Sequence, residues 1–201
     1  MGLSRRQFLS AVFSSVAAAH PVAATASSSE PFPVFASDAN AIPYKFRRRD
    51  VDFETAEPPG TIVVDAANRF LYHVTGEGQA TRYGASVGKA GKAWSGEAVI
   101  KKMVKWPIWI PTPEHLAAHP ELAKYIPQGM PPGPGNPMGA RALYLYQGDV
   151  DTVYRIHGTH DLKLIGHTAT AGCFGLLNID VIHLYEQVAI GTRVVVLPPR
   201  G

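Results

Sequence analysis

One cysteine in 201 residues cannot build a disulfide framework. No apolar run reaches the ~20 residues that a bilayer-spanning helix needs, which excludes a multi-pass helical membrane protein. Charge is also scarce. At 17% charged residues the chain lies below the usual quarter, and with 46% hydrophobic residues it is not a disordered polyelectrolyte. Neither sign dominates: 19 Lys and Arg face 16 Asp and Glu, for a net charge of +3. Without a basic stripe, nucleic acid is excluded as a partner. Gly and Pro, in contrast, are plentiful at 19 and 17, a turn-rich composition that favours many short strands over a helical bundle. The length suits one domain with tails.

The N-terminus has the form of an address. Ser4-Arg5-Arg6-Gln7-Phe8-Leu9 resembles a twin-arginine export signal, followed by an apolar stretch from Phe8 to Ala19 that is too short for an anchor. Ala24-Thr25-Ala26 offers a small-x-small cleavage pattern, with Ala17-Ala18-Ala19 as a second candidate. Cleavage after Ala26 removes Arg5 and Arg6 and lowers the charge to +1. The expected organisation is a signal peptide over 1–26, a solvated linker and lead-in over 27–58, and one domain over 59–198. The mature protein is expected to have no membrane span and to reside in the periplasm or cell envelope. Arg47-Arg48-Arg49 reads as a surface run balanced by Asp50, Asp52, Glu54 and Glu57.

From Gly60 the pattern becomes that of strands. Thr61–Asp65 and Phe70–Val74 flank a turn at Asn68, and further strands are expected over Arg82–Val87, Ala98–Val104, Ala142–Tyr146, Val153–His157 and Arg193–Leu197. A helix capped by Thr112 with Pro113 in its first turn should end before Pro120. A second, capped by Asn178, carries Asp180 near its positive end and Val181, Leu184 and Val188 along one face. Between them, residues 127–137 hold five Pro and three Gly, a stiff loop suited to walling or covering a cleft. Seven strands against two helices make the fold mainly β.

Two patterns fall short of their motifs. Gly84-Ala85-Ser86-Val87-Gly88-Lys89 has three residues between its glycines where a phosphate-binding loop has four, and Ala90 stands where that loop needs Ser or Thr. His157, His160 and His167 lie within sixteen residues of Cys173, but neither the spacing of metalloproteases nor paired cysteines accompany them, so no metal site is assigned.

Arg155-Ile156-His157-Gly158-Thr159 is followed, sixteen residues after His157, by Cys173 in Thr170-Ala171-Gly172-Cys173. A thiol is only a few per cent ionised at neutral pH and needs a base or a positive neighbour to act as a nucleophile. His157 at a strand end can accept its proton. Gly172 permits close backbone approach, and the amides of Ala171 to Cys173 can cradle an oxyanion. Alternatively, His157 is a core or surface histidine and Cys173 a buried thiol in a turn.

His157-Gly158-Thr159, Ile165-Gly166, Thr170-x-Gly172-Cys173 and Asn178-x-Asp180 together resemble the signature of L,D-transpeptidases with a YkuD-type catalytic domain. Trp106-Pro107-x-Trp109 and Asn136-Pro137-x-Gly139 extend the resemblance, which covers about residues 59–198. It implies a β-sandwich of mixed sheets with a short helix packed near the active-site cysteine. It implies Cys173 as nucleophile and His157 as general acid and base, with Gly158, Thr159, Thr170, Ala171 and Gly172 supporting them or the oxyanion. The implied substrates are peptidoglycan stem peptides, with a stem peptide or an envelope protein as acyl acceptor and no cofactor. Hydrolysis on the same scaffold and a non-catalytic envelope-binding role are the alternatives. The family has an Arg two residues after the cysteine, where this chain has Gly175; Lys163, Arg155 and Arg141 are candidates to replace its guanidinium.

Overall fold

The computed structural model describes residues 29–89 and 94–198. The expected signal peptide lies outside the described residues. In chain order the strands are β1 (Arg49–Asp52), β2 (Ile62–Asp65), β3 (Phe70–Gly76), β4 (Gln79–Gly84), β5 (Val87–Gly88) and β6 (Gly96–Lys105). They continue with β7 (Arg141–Gln147), β8 (Val150–Thr159), β9 (Thr168–Thr170), β10 (Phe174–Leu177) and β11 (Arg193–Val196). Helix α1 spans Pro113–Ala118 and α2 spans Asn178–Gln187. No helix among the described residues is long and apolar enough to cross a membrane.

The fold is mainly β and the large sheet is mixed. Nine strands form one ladder in the order β1-β4-β3-β2-β11-β6-β7-β8-β10, while β5 and β9 form a small parallel pair. Within the ladder, β2 with β11 and β8 with β10 run parallel. The β-branched run of β2 is buried throughout, as expected for an interior strand. The β2–β3 turn is closed by Asp65, whose Oδ1 and Oδ2 accept from the Asn68 backbone N–H and side-chain amide at 3.0 and 2.7 Å. Leu71 and Tyr83 from one part of the ladder share a core with Leu143, Ile156, Phe174 and Leu176 from the other. The sheet is therefore coiled around a single core, as a sandwich is. Val181 and Leu184 of α2 complete this core, each contributing about 1.5–3 kcal/mol by burial.

Three local expectations are corrected. Arg82–Val87 is not one strand: β4 starts earlier and ends at Gly84, and β5 leaves in another sheet. Asn178 is not the α2 cap. It is the first helical residue, the preceding Leu177 occupies the cap position, and the Asn178 Oδ1 accepts instead from the Ala140 N–H at 2.9 Å. The described part of the supposed solvated lead-in is packed structure. Ile42 and Phe46 are buried against Ile165 and Leu177, Val34 against Trp106, and β1 pairs with β4. The α1 expectation holds, with Thr112 Oγ1 accepting from the His115 N–H and a new turn of 3₁₀ helix starting at Pro120.

Candidate active site

Ile156, Phe174 and Leu176 point into the core, so strand alternation turns Arg155, His157 and Gly175 to the opposite face. The parallel register of β8 and β10 places Gly175 beside His157 and Phe174 beside Ile156. Cys173, immediately before β10, follows the same alternation and stands next to Arg155. Thus the thiol and the imidazole share one face of adjacent strands.

The turn that delivers Cys173 is braced by Thr170. Its hydroxyl accepts from the Gly172 N–H at 3.2 Å and donates to the Cys173 carbonyl at 2.6 Å. Gly172 has φ +137°, a conformation that disfavours any side chain. Because its N–H is committed to Thr170, Gly172 braces the turn rather than facing a ligand. Thr159 is likewise engaged in a local turn, accepting from the Asp161 N–H at 3.1 Å, and Ala171 is exposed.

Gly158 has a packing role that its motif does not reveal. A Cβ there would lie 2.2 Å from the Asn178 Oδ1 and 2.9 Å from the Ala140 nitrogen. Gly139 is similarly pressed against Gly158 and Asn178. The Asn178 amide thus fills the space left by two glycines and ties α2 to the start of β7. Asn136, buried, fastens the Pro-rich loop by donating to the carbonyls of Pro107, Met130 and Pro131. The Asn-Pro-x-Gly and Asn-x-Asp segments are therefore structural partners of the histidine strand.

His157 Nδ1 lies 2.5 Å from the Gly158 carbonyl. A carbonyl only accepts, so Nδ1 carries the proton and Nε2 keeps its lone pair. Burial lowers the His157 pKa, the Gly158 carbonyl opposes this, and Arg155 adds to it. Burial raises the Cys173 pKa; the Arg155 backbone N–H and guanidinium oppose this, and the Asp151 carboxylate reinforces it. Both effects favour a neutral imidazole and a neutral thiol on this face at rest. His160 and His167 are exposed, and among the described residues no three His, Cys, Asp or Glu side chains come together as a metal-binding group.

Gly175 occupies a tight position. Its backbone exchanges hydrogen bonds of 2.8 and 2.9 Å with Ser86, and a Cβ would stand 2.4 Å from the Ser86 Oγ. A larger residue is excluded there unless Ser86 yields. Of the cations considered as substitutes for the missing guanidinium, Arg141 is buried in an ion pair with Glu30 and Arg155 is held in both hands of Asp151, at 2.7 and 2.8 Å. Lys163 is exposed on a turn of 3₁₀ helix.

A mixed β sheet coiled on one core, with a short helix behind a cysteine strand, defines the class to which this domain belongs. The YkuD family model, the L,D-transpeptidase catalytic domain, matches residues 59–196, and the chain belongs to that family. The "Putative L,D-transpeptidase in ATP synthase subunits region ORF 5" of Fuscovulum blasticum is 42% identical over 101 residues, covering 50% of this chain and 48% of that protein. The "Probable L,D-transpeptidase ErfK/SrfK" of Salmonella typhimurium is 31% identical over 140 residues, covering 69% and 44%. The chain thus spans about half the length of the curated relatives it matches. A crystal structure from Brucella melitensis, described as a "Probable carnitine operon oxidoreductase caia", is 48% identical with a TM-score of 0.53, covering 80% of this chain and 98% of its own.

Proposed function

We propose that the protein is a peptidoglycan L,D-transpeptidase working through a cysteinyl thioester. The observation that carries this reading is the β8–β10 register, which sets Cys173 beside the strand of His157 with the imidazole Nε2 unprotonated. In the proposed first step Nε2 takes the thiol proton and the sulfur adds to the carbonyl between an L-centre and the following D-residue of a donor stem. The C–N bond breaks, the departing D-amino acid takes the proton from the imidazolium, and a thioester remains. An acceptor amine then attacks the thioester, gives its proton to His157 and releases the thiolate. The Cys173 N–H is the proposed oxyanion donor. As written, the chemistry requires no cofactor. The acceptor is a second stem peptide or an envelope protein; water in its place would make the enzyme an L,D-carboxypeptidase or endopeptidase. Export by the twin-arginine route, with residues 1–26 as leader and 59–198 as the catalytic domain, is part of the same proposal.

Incubation with a purified disaccharide-tetrapeptide tests it. Intact mass should show an adduct equal to the donor minus its terminal amino acid, absent from Cys173→Ala. His157→Gln should lose turnover, while His115→Gln and His119→Gln keep it. Turnover by Cys173→Ala would overturn the proposal, and the ratio of cross-linked to hydrolysed product assigns transferase or hydrolase.

A further inference from the structure

Strands β7 and β8 do not match residue for residue. Tyr144 pairs with Arg155 and Tyr146 with Asp151, so Leu145 alone opposes Thr152, Val153 and Tyr154. At the centre of this bulge Val153 has φ +67°, a left-handed conformation that a β-branched residue rarely adopts. Its side chain is exposed, so core packing does not impose the conformation. Two side chains hold it. Asp151 Oδ1 accepts from the Val153 N–H at 2.8 Å. On the other side, Thr152 Oγ1 donates to the Leu145 carbonyl at 2.7 Å and accepts from the Tyr154 N–H at 3.2 Å. Asp151 also grips the Arg155 guanidinium, which stacks 4.2 Å from the Tyr144 ring centre.

The bulge turns two backbone groups of β8 toward the sulfur. The Val153 carbonyl lies 3.9 Å from the Cys173 Sγ, and the Arg155 N–H donates to the same atom. A carbonyl can accept from the thiol, and an amide N–H stabilises the thiolate, so the bulge serves both states of a nucleophile. We infer that Asp151 and Thr152 are positioning residues, which lock the β8 bulge so that the Val153 carbonyl and Arg155 amide seat the Cys173 sulfur for attack. This rests on the reading of Cys173 as nucleophile. The charged groups around the seat are Arg155 and Asp151 of β8, with Lys102 of β6 acting on Asp151; the titratable neutral groups are the His157 imidazole of β8 and the Tyr144 phenol of β7 beneath Arg155.

The pH profile of iodoacetamide alkylation tests the lock, since Cys173 is the chain's one thiol and the reagent needs no stem peptide. Thr152→Val keeps shape and charge but cuts both hydroxyl bonds; its profile should move to higher pH, with alkylation at pH 7 about threefold slower. Asp151→Asn keeps an acceptor for Val153 but removes the negative charge, and its profile should move to lower pH, about threefold faster at pH 7. Asp151→Ala, lacking charge and lock together, should react more slowly than Asp151→Asn. A wild-type profile in Thr152→Val overturns the inference, and it decides alone if Asp151→Ala does not fold. Superimposed Asn and Ala profiles also overturn it, because Asp151 would then act by charge alone. Turnover surviving in Cys173→Ala would instead remove the nucleophile reading and leave the alkylation result standing.

Discussion

Asn178 and Gly158 occupy each other's space, and the consequence can be measured. Gly158→Ala forces a methyl group onto a side-chain oxygen and a backbone nitrogen, and should cost about 2–3 kcal/mol in a denaturant melt. Asn178→Ala leaves the Ala140 N–H without its acceptor and should cost about 1–3 kcal/mol. The double variant should lose less than the two costs combined, because the second change removes the atom that the first one strikes. At Gly175 the same logic applies to Ser86: Gly175→Ala should be poorly tolerated alone and better tolerated with Ser86→Gly, as judged by melting temperature. His157 and Cys173 stood out in the sequence by spacing and resemblance, and their catalytic roles belong to the proposed function. The reasons for the glycines around them were not, because a close approach between Gly139, Gly158 and Asn178 leaves no mark in any local pattern. Asp151 and Thr152 were equally silent, since a bulge depends on the register of a partner strand.

At the scale of elements, α2 shows what a helix gives up when its first residue serves another purpose. With Asn178 turned to Ala140, the first turn has no side-chain cap, and Asp180 is buried two residues later. Asp180 Oδ1 meets the Arg48 guanidinium at 3.3 Å, while Oδ2 has no hydrogen-bond partner among the described residues. Burial pushes its pKa from 3.8 up to about 6, against the opposing pull of Arg48. The folded protein therefore binds the proton more readily than the unfolded chain, so this group's contribution falls as pH rises from about 4 to 6. Burial lowers the pKa of His73 and His183, which act with the opposite sign: their contribution grows as pH rises toward 6.5. Comparison of wild type with Asp180→Asn isolates the carboxylate. Between pH 7 and pH 5 the wild type should gain about 1 kcal/mol relative to the variant in urea melts, and parallel curves would contradict the assignment. Strands rich in β-branched, aromatic and aliphatic residues, such as β2, β3 and β7, were readable from composition. Strands β1, β9 and β10 were missed because each has at most four residues and carries charges, threonines or Gly175 in place of alternation. Arg47-Arg48-Arg49 read as a solvated run for a related reason: the carboxylate that Arg48 meets lies far along the chain.

Across the whole molecule, residues that a composition reading assigns to a linker fasten the domain. Glu30 accepts from the Trp106 indole and from both Nη atoms of the Arg141 guanidinium, with the Arg141 and Glu30 side chains 3% and 9% exposed. Phe32 packs edge-on against Trp106. Glu30→Gln leaves a buried guanidinium without its counter-charge and should cost about 3 kcal/mol, read by thermal and denaturant melts. The β-rich class was legible in turn composition and strand periodicity. The coiling of one ladder around one core was not, because the contacts that close it join distant parts of the chain. Ser86 and Gly175, 89 positions apart, make the hydrogen-bonded link between the end of the β4 region and the β10 edge. Such a closure is entropically costly, since long loops must be closed before their contacts repay the entropy. The seam runs through the strand that follows the cysteine and beside the histidine. Under the proposed function, assembly of Cys173 and His157 on one face is thereby coupled to completion of the fold: the strand that follows the cysteine is anchored only once two segments far apart in the chain have met.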